Sequence, residues 1–213
     1  MLRGIELALG GIALLAVTTL ARAAGADTPP DVLVKDVTLE VVHIIRSDKD
    51  IQSGDRRKIV GLIEAKVLPH FDFTSMTATA VGLSWRKATP EQKQRLTEEF
   101  RTLLVRTYAS ALSAYSDQRF DFRPLHARPS DTDVLVQVRI VQSGTQPVSI
   151  DYGMEKTASG WKAYDVTVGG VSLVANYRTE FGSIIRSEGI DGLIRNLHAK
   201  NESLAQSRQQ GKK

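Results

Sequence analysis

At 213 residues, with 42% apolar side chains, the chain is long enough to bury one substantial core. It has no cysteine, which excludes disulfides, thiolate metal sites and a lipidated N-terminal cysteine. The formal charge of +4 sits at the ends: Arg3 and Arg22 against Glu6 leave +1 on residues 1–23, and Arg208, Lys212 and Lys213 put +3 on residues 205–213. Residues 24–204 are therefore neutral, which argues against nucleic acid as a partner.

The chain opens with a basic residue, Arg3, and an apolar run from Leu7 to Leu20, followed by Ala21-Arg22-Ala23 with small residues at the two positions a signal peptidase checks. That run is shorter than the roughly 20 residues a spanning helix needs. Residues 1–23 are expected to be a cleaved signal peptide, a retained anchor being the alternative. The mature chain would then start near Ala24 and act outside the cytoplasm, with residues 24–204 as a single domain and residues 205–213 as a disordered basic tail.

Thr28-Pro29-Pro30-Asp31 predicts a helix start with a capping hydroxyl, and Val34, Val37, Val41, Ile44 and Ile45 follow helical steps. Ser47 to Asp55 is polar and reads as a loop. A second helix from about Arg56 places Ile59, Ile63 and Val67 on one face until Pro69 ends it. Phe71 to Lys87 reads as short helical pieces around Phe73, Met76, Ala80 and Leu83. The sharpest signal is Thr89-Pro90-Glu91-Gln92, a capping box with proline in the first turn. Behind it Leu96, Phe100, Leu103, Leu104, Tyr108, Ala111, Leu112 and Tyr115 form one apolar stripe, opposite a charged face.

Strand patterning follows. Phe120 and Phe122 alternate with charged neighbours; Val134, Val136, Val138 and Ile140 share one face; Val148, Ile150, Tyr152 and Met154 share another. Short turns at Ser143–Gln146 and Thr157–Gly160 lead into the extended run Trp161 to Val168. Gly169-Gly170 breaks the chain, and Val174, Tyr177, Phe181 and Ile184 then recur at helical spacing, with Ser172 placed to cap. A pause at Ser187-Glu188-Gly189 precedes a last helix carrying Ile190, Leu193, Ile194 and Leu197. The expected class is α+β: a twisted antiparallel sheet of about four strands, with helices packed around it and an apolar cavity enclosed between them.

Catalytic signatures are sparse. His43, His70, His126 and His198 are scattered without metal-ligand spacing, no serine sits in a GxSxG elbow, and Gly169-Gly170 is a lone pair. Asp151, Tyr152, Tyr164 and Asp165 could supply a proton-shifting dyad. Adjacent residues on a strand face opposite ways, however, so neither neighbouring pair can share a pocket. No catalytic residue, metal or cofactor is therefore expected. Plentiful apolar faces with few polar groups suit a lipid-holding wedge as well as an ordinary core.

The runs Gly82–Tyr115 and Trp161–Asn201 resemble the MlaC family of periplasmic phospholipid carriers, also called toluene-tolerance proteins. The matching features are Trp85, Ala88-Thr89-Pro90-Glu91-Gln92, Trp161 with Tyr164-Asp165, Gly170-Val171-Ser172, Tyr177-Arg178 with Phe181, and Gly189-Ile190-Asp191-Gly192-Leu193. The resemblance implies a monomeric carrier, not an enzyme, with phospholipid as cargo. It would shuttle lipid across the periplasm between the outer and inner membranes and so maintain outer-membrane lipid asymmetry. Its implied partners are an inner-membrane ABC transporter with an MCE-domain protein and an outer-membrane lipoprotein–porin complex. Periodicity nominates Leu104, Tyr108, Val138, Ile140, Ile150, Tyr152, Val166, Val168, Val171, Val174, Tyr177 and Phe181 as cavity lining. Of these, Val171, Tyr177 and Phe181 also fall within the shared motifs. Lys162 and Arg178 are expected at the mouth, near a head group. The other classes open to the same groove are a periplasmic chaperone or lipoprotein carrier and a lipid-modifying enzyme.

Overall fold

The computed structural model describes residues 28–113 and 118–210; the expected leader at residues 1–23 lies outside them. Helix α1 spans Pro30–Ser47, with Pro29 rather than Thr28 at the capping position and no side chain bonded to the exposed amides. The polar stretch expected as a loop contains a four-residue helix, α2 (Lys49–Gln52). Asp48 nucleates it by accepting from the amides of Asp50 and Ile51, and the buried Ile51 anchors it. Helix α3 (Arg56–Leu62) is capped in the same way by Asp55. It then loosens to wider π spacing over Ile63–Val67 and tightens over Leu68–His70, around a proline that cannot donate to a carbonyl four residues back.

Helix α4 (Phe73–Val81) ends at Gly82, whose φ of 66° suits glycine alone. The capping box forms as expected. Thr89 Oγ1 accepts from the Gln92 amide at 3.2 Å, and Gln92 Oε1 accepts from the Thr89 amide at 3.1 Å. Helix α5 (Pro90–Ser113) follows, although the side chains of Ala111, Leu112 and Tyr115 fall outside the described residues.

The sheet has five strands in chain order, all antiparallel: β1 (Arg119–Phe122), β2 (Asp133–Val141), β3 (Val148–Thr157), β4 (Gly160–Val168) and β5 (Val171–Ser172). The α+β class and the meander hold, with one strand more than expected. The extra strand arises at Gly169-Gly170, where positive φ values of 57° and 85° fold the chain straight back into a tight hairpin. Two residues therefore pair with β4 before α6 (Leu173–Gln210) begins. Helix α6 bends at Gly189 (φ 72°), the pause read from the sequence, and runs on through Gln210, past the Ala205 boundary assigned to a disordered tail.

Asp165 organises this corner. Its Oδ1 accepts from the Val166 amide at 2.8 Å and the Val174 amide at 3.3 Å, while Oδ2 accepts from the Ser172 hydroxyl at 2.6 Å. Ser172 Oγ in turn accepts from the Ala175 amide at 2.9 Å, the capping role expected of it. One carboxylate thus ties β4 to the start of α6, at the helix end that favours negative charge.

The buried apolar residues fall into three clusters. One joins α4, α5 and α6 around Phe100, Tyr177 and Phe181, whose rings meet 5.1–5.4 Å apart. A second lies on the sheet around Val136, Val138 and Met154, and a third binds α1, α2 and α3 around Ile45, Ile51 and Ile59. Replacing Asp165 with alanine removes a charge-assisted bond and a helix cap together. It should lower the unfolding free energy by about 2 kcal/mol, read as an earlier midpoint in urea denaturation; an unchanged midpoint would remove Asp165 as the clamp.

Candidate functional site

Residues of the three clusters also line a cavity of two adjoining chambers. The larger, about 480 Å³, lies between α1 and the sheet. Its walls are the inner face of α1 (Leu33, Val34, Val37, Val41, Ile45) and inward-facing strand residues that include Ile140, Ile150, Tyr152 and Met154. The smaller, about 230 Å³, lies between α5 and the sheet, walled by Leu104, Val105, Tyr108, Ile150, Tyr152 and Val166 and closed by Phe73 and Met76 of α4. Val67, Phe71, Ile150 and Tyr152 belong to both walls. The described walls of the two chambers carry no Asp, Glu, Lys or Arg.

Polar groups collect at one end of the larger chamber, where β2 turns into β3. Gln118, Gln142, Thr145 and Gln146 stand there, and the Gln118 amide donates to the Gln142 side-chain oxygen at 3.3 Å. Among the described residues this rim bears no charged side chain and is rich in hydrogen-bonding groups. Thr38 is spent within α1, its hydroxyl donating to the Val34 carbonyl at 2.7 Å. His70 also stands on this wall, and burial, then the nearby Lys162 ammonium, hold its imidazole below the ordinary value of 6.5.

The strand register explains which faces point inward. A bulge between β3 and β4 leaves Tyr164 opposite no partner, so Ala163 and Val166 both face in although they are three positions apart. The Tyr164 ring lies over Gly153, where even an added methyl would meet it at 3.0 Å.

Of the residues nominated from periodicity, Leu104, Tyr108, Ile140, Ile150, Tyr152 and Val166 stand on chamber walls. Val138 is buried in the sheet cluster, and Val174, Tyr177 and Phe181 are sealed in the α4–α5–α6 cluster, so these four are core rather than lining. Val168 and Val171 are off the walls and open to solvent, at 38% and 59% exposure, because the hairpin carries them past the end of the sheet cluster. Neither nominated cation lines a chamber. Lys162 donates to the Pro69 carbonyl at 2.5 Å, and Arg178 lies against Gly82. The wall residues not nominated come chiefly from α1 and from Ile63–Phe71. The sequence did mark α1 as a helix with a valine-rich face; short side chains on such a face leave room above them.

The suspected carboxylates are engaged outside the chambers. Asp165 holds the β4–α6 corner, Asp151 accepts from Gln137 at 3.3 Å on an exposed surface, and Tyr164 donates to Asp133 at 3.1 Å. Among the described residues there is no group of three or more metal-ligating side chains, and no helix is long and apolar enough to cross a membrane.

Residues 35–199 match the protein family described as MlaC protein. A Haemophilus influenzae protein named intermembrane phospholipid transport system binding protein MlaC is 25% identical over 81% of this chain and 82% of its own. The toluene tolerance protein ttg2D of Pseudomonas putida is 26% identical over 89% and 84%. Among solved structures, the phospholipid-binding protein of Ralstonia solanacearum, in complex with a phospholipid, superposes with a TM-score of 0.77. It is 36% identical and covers 85% of this chain and 99% of its own.

His70 gives the site a pH signature. Its folded pKa lies below the unfolded value, so the unfolded chain binds more protons in that interval and stability falls as pH drops from 6.5. Replacing His70 with glutamine should flatten the fall in urea midpoint below pH 6.5. An unaltered slope would assign the pH dependence to other groups.

Proposed function

The chain belongs to the MlaC family, and on that premise we propose that it is a phospholipid carrier of the periplasm, holding lipid tails in the two chambers while the head group stays at the amide rim. The observation that carries this reading is the cavity itself: two adjoining apolar chambers whose described walls bear no Asp, Glu, Lys or Arg and one histidine held toward its neutral form. The relatives' names and the phospholipid held by the Ralstonia protein support the same cargo.

The physical need is clear. Each methylene exposed to water costs about 0.8 kcal/mol, so a sixteen-carbon tail costs roughly 12 kcal/mol. A lipid does not leave one bilayer for another at useful rates without an apolar sheath. Moving a tail from a bilayer into these walls exchanges one hydrocarbon setting for another and needs no covalent step. The proposal extends to an inner-membrane ABC transporter with an MCE-domain protein and an outer-membrane lipoprotein–porin complex as the stations between which lipid moves. It also extends to upkeep of outer-membrane lipid asymmetry as the result. The leader-like run before Ala24 supports export to that compartment.

Mass spectrometry of an organic extract from the natively purified protein should find phospholipid at close to one molecule per chain. Ile150 faces both chambers, so Ile150→Glu should lower that lipid about tenfold or more, since a carboxylate there is either desolvated or drags water in. Val171→Glu, on the solvent-facing hairpin, should leave the lipid in place. Lipid-free wild-type protein that also takes none from vesicles would sink the carrier reading.

A further inference from the structure

Tyr152 stands apart from the other described tyrosines. The Tyr164 hydroxyl donates to Asp133, and Tyr177 shares side-chain hydrogen bonds with Thr107 and Tyr108. Tyr152 has no such partner: no described side chain or backbone group bonds its hydroxyl. Its cross-strand neighbours are Val136 and Val166. The residue lies deep in the protein, where burial alone pushes its phenol up to about 12, yet part of its surface is open. Depth and openness agree only if that surface faces the cavity, and its hydroxyl is absent from the sealed, unsatisfied polar atoms.

An unpaired hydroxyl in apolar surroundings is costly and is kept paired in nearly all proteins. The missing partner belongs to whatever fills the cavity. Tyr152 lies on the wall common to the two chambers, one inward-facing position (about 7 Å) beyond Ile150 on the same wall. Val67, Phe71 and Ile150, which complete that wall, are wholly apolar. A lipid with one tail in each chamber must branch at this wall. The polar atoms nearest a diacyl lipid's branch point are its two ester carbonyls, which accept hydrogen bonds and donate none.

We propose that the Tyr152 hydroxyl donates to an ester carbonyl of a diacyl lipid whose two tails part into the two chambers, making Tyr152 a specificity residue for ester-linked cargo. This rests on the carrier reading above. A dialkyl ether lipid of the same shape lacks the carbonyl. It would leave the hydroxyl unpaired, and a site built around a polar contact discriminates against the analogue that cannot make it.

The test uses delipidated full-length protein and two sets of vesicles. One is made of dipalmitoyl phosphatidylglycerol and the other of its dihexadecyl ether analogue, with lipid per protein read by mass spectrometry. The unaltered protein should favour the diester about threefold to tenfold. Tyr152→Phe should bring the ratio to about one while leaving the thermal midpoint of the empty protein unchanged, since no internal bond is lost. Equal loading of both lipids by the unaltered protein, or a preference that survives in Tyr152→Phe, would overturn the assignment. The first of these comparisons needs no variant to fold. Failure of the unaltered protein to load either lipid would instead overturn the carrier reading, and this proposal with it.

Discussion

The fold depends on a divided core. A domain of this size usually gathers its buried side chains into one contiguous cluster, yet here the described ones fall into three, with Phe71 packed against two of them and chambers of about 480 and 230 Å³ among them. Voids are expensive. At about 24 cal/mol per Å³, keeping the larger chamber dry and empty would cost on the order of 10 kcal/mol, as much as the whole stability of a typical domain. Each cluster must therefore hold its own elements without help from the middle. The aromatic trio Phe100, Tyr177 and Phe181 does so for α4, α5 and α6, and the Ile45–Ile51–Ile59 group does so for the first three helices. What fills the middle is left to water or cargo.

Polar contacts at the edges tie these elements together. Asp165 fixes the angle at which α6 leaves the sheet, and Gln92 reaches from the start of α5 to Asp191, just past the bend in α6, at 2.9 Å. Farther along the same pair of helices, Asn201 donates to the carbonyl and side chain of Glu99, which also meets His198 at 2.8 Å. These contacts lie outside the chambers. They brace the walls without placing charge on them, which separates what holds the scaffold from what touches the cargo.

Sequence patterning captured the elements well because their signals are local. The capping box at Thr89, the two-residue alternation of β2 and β3, and the glycine at the α6 bend all act within a few residues. The site was only half legible, for a physical reason. Periodicity tells which side chains leave solvent, not whether they meet another side chain or a void. Tyr177 and Leu104 have the same inward signature; one is locked against Phe100 and the other looks into a chamber. The bulge at Tyr164 and the hairpin at Gly169-Gly170 added a second kind of error. The bulge brings onto a wall Ala163, which strict alternation from Val166 would turn outward, and the hairpin sends Val171 into solvent. The contribution of α1 could not be seen from its own residues, since a lid is defined by what lies under it.

That the described walls carry no Asp, Glu, Lys or Arg bears on release as much as on capture. An ion pair between a buried cation and a lipid phosphate would be a strong, directional contact in low dielectric. It would have to be broken, with both charges rehydrated, each time cargo left. Lys162 and Arg178, the cations best placed in sequence to make it, are turned to the Pro69 carbonyl and to Gly82. With the described walls offering hydrocarbon, the phenols of Tyr108 and Tyr152, one imidazole and an amide rim, cargo is held mainly by exclusion from water. That hold is large against an aqueous phase and nearly balanced against any other hydrocarbon environment. Such a balance lets contact with an acceptor decide the direction of transfer, since a small difference in free energy between two apolar sites moves the equilibrium while the barrier through water stays high.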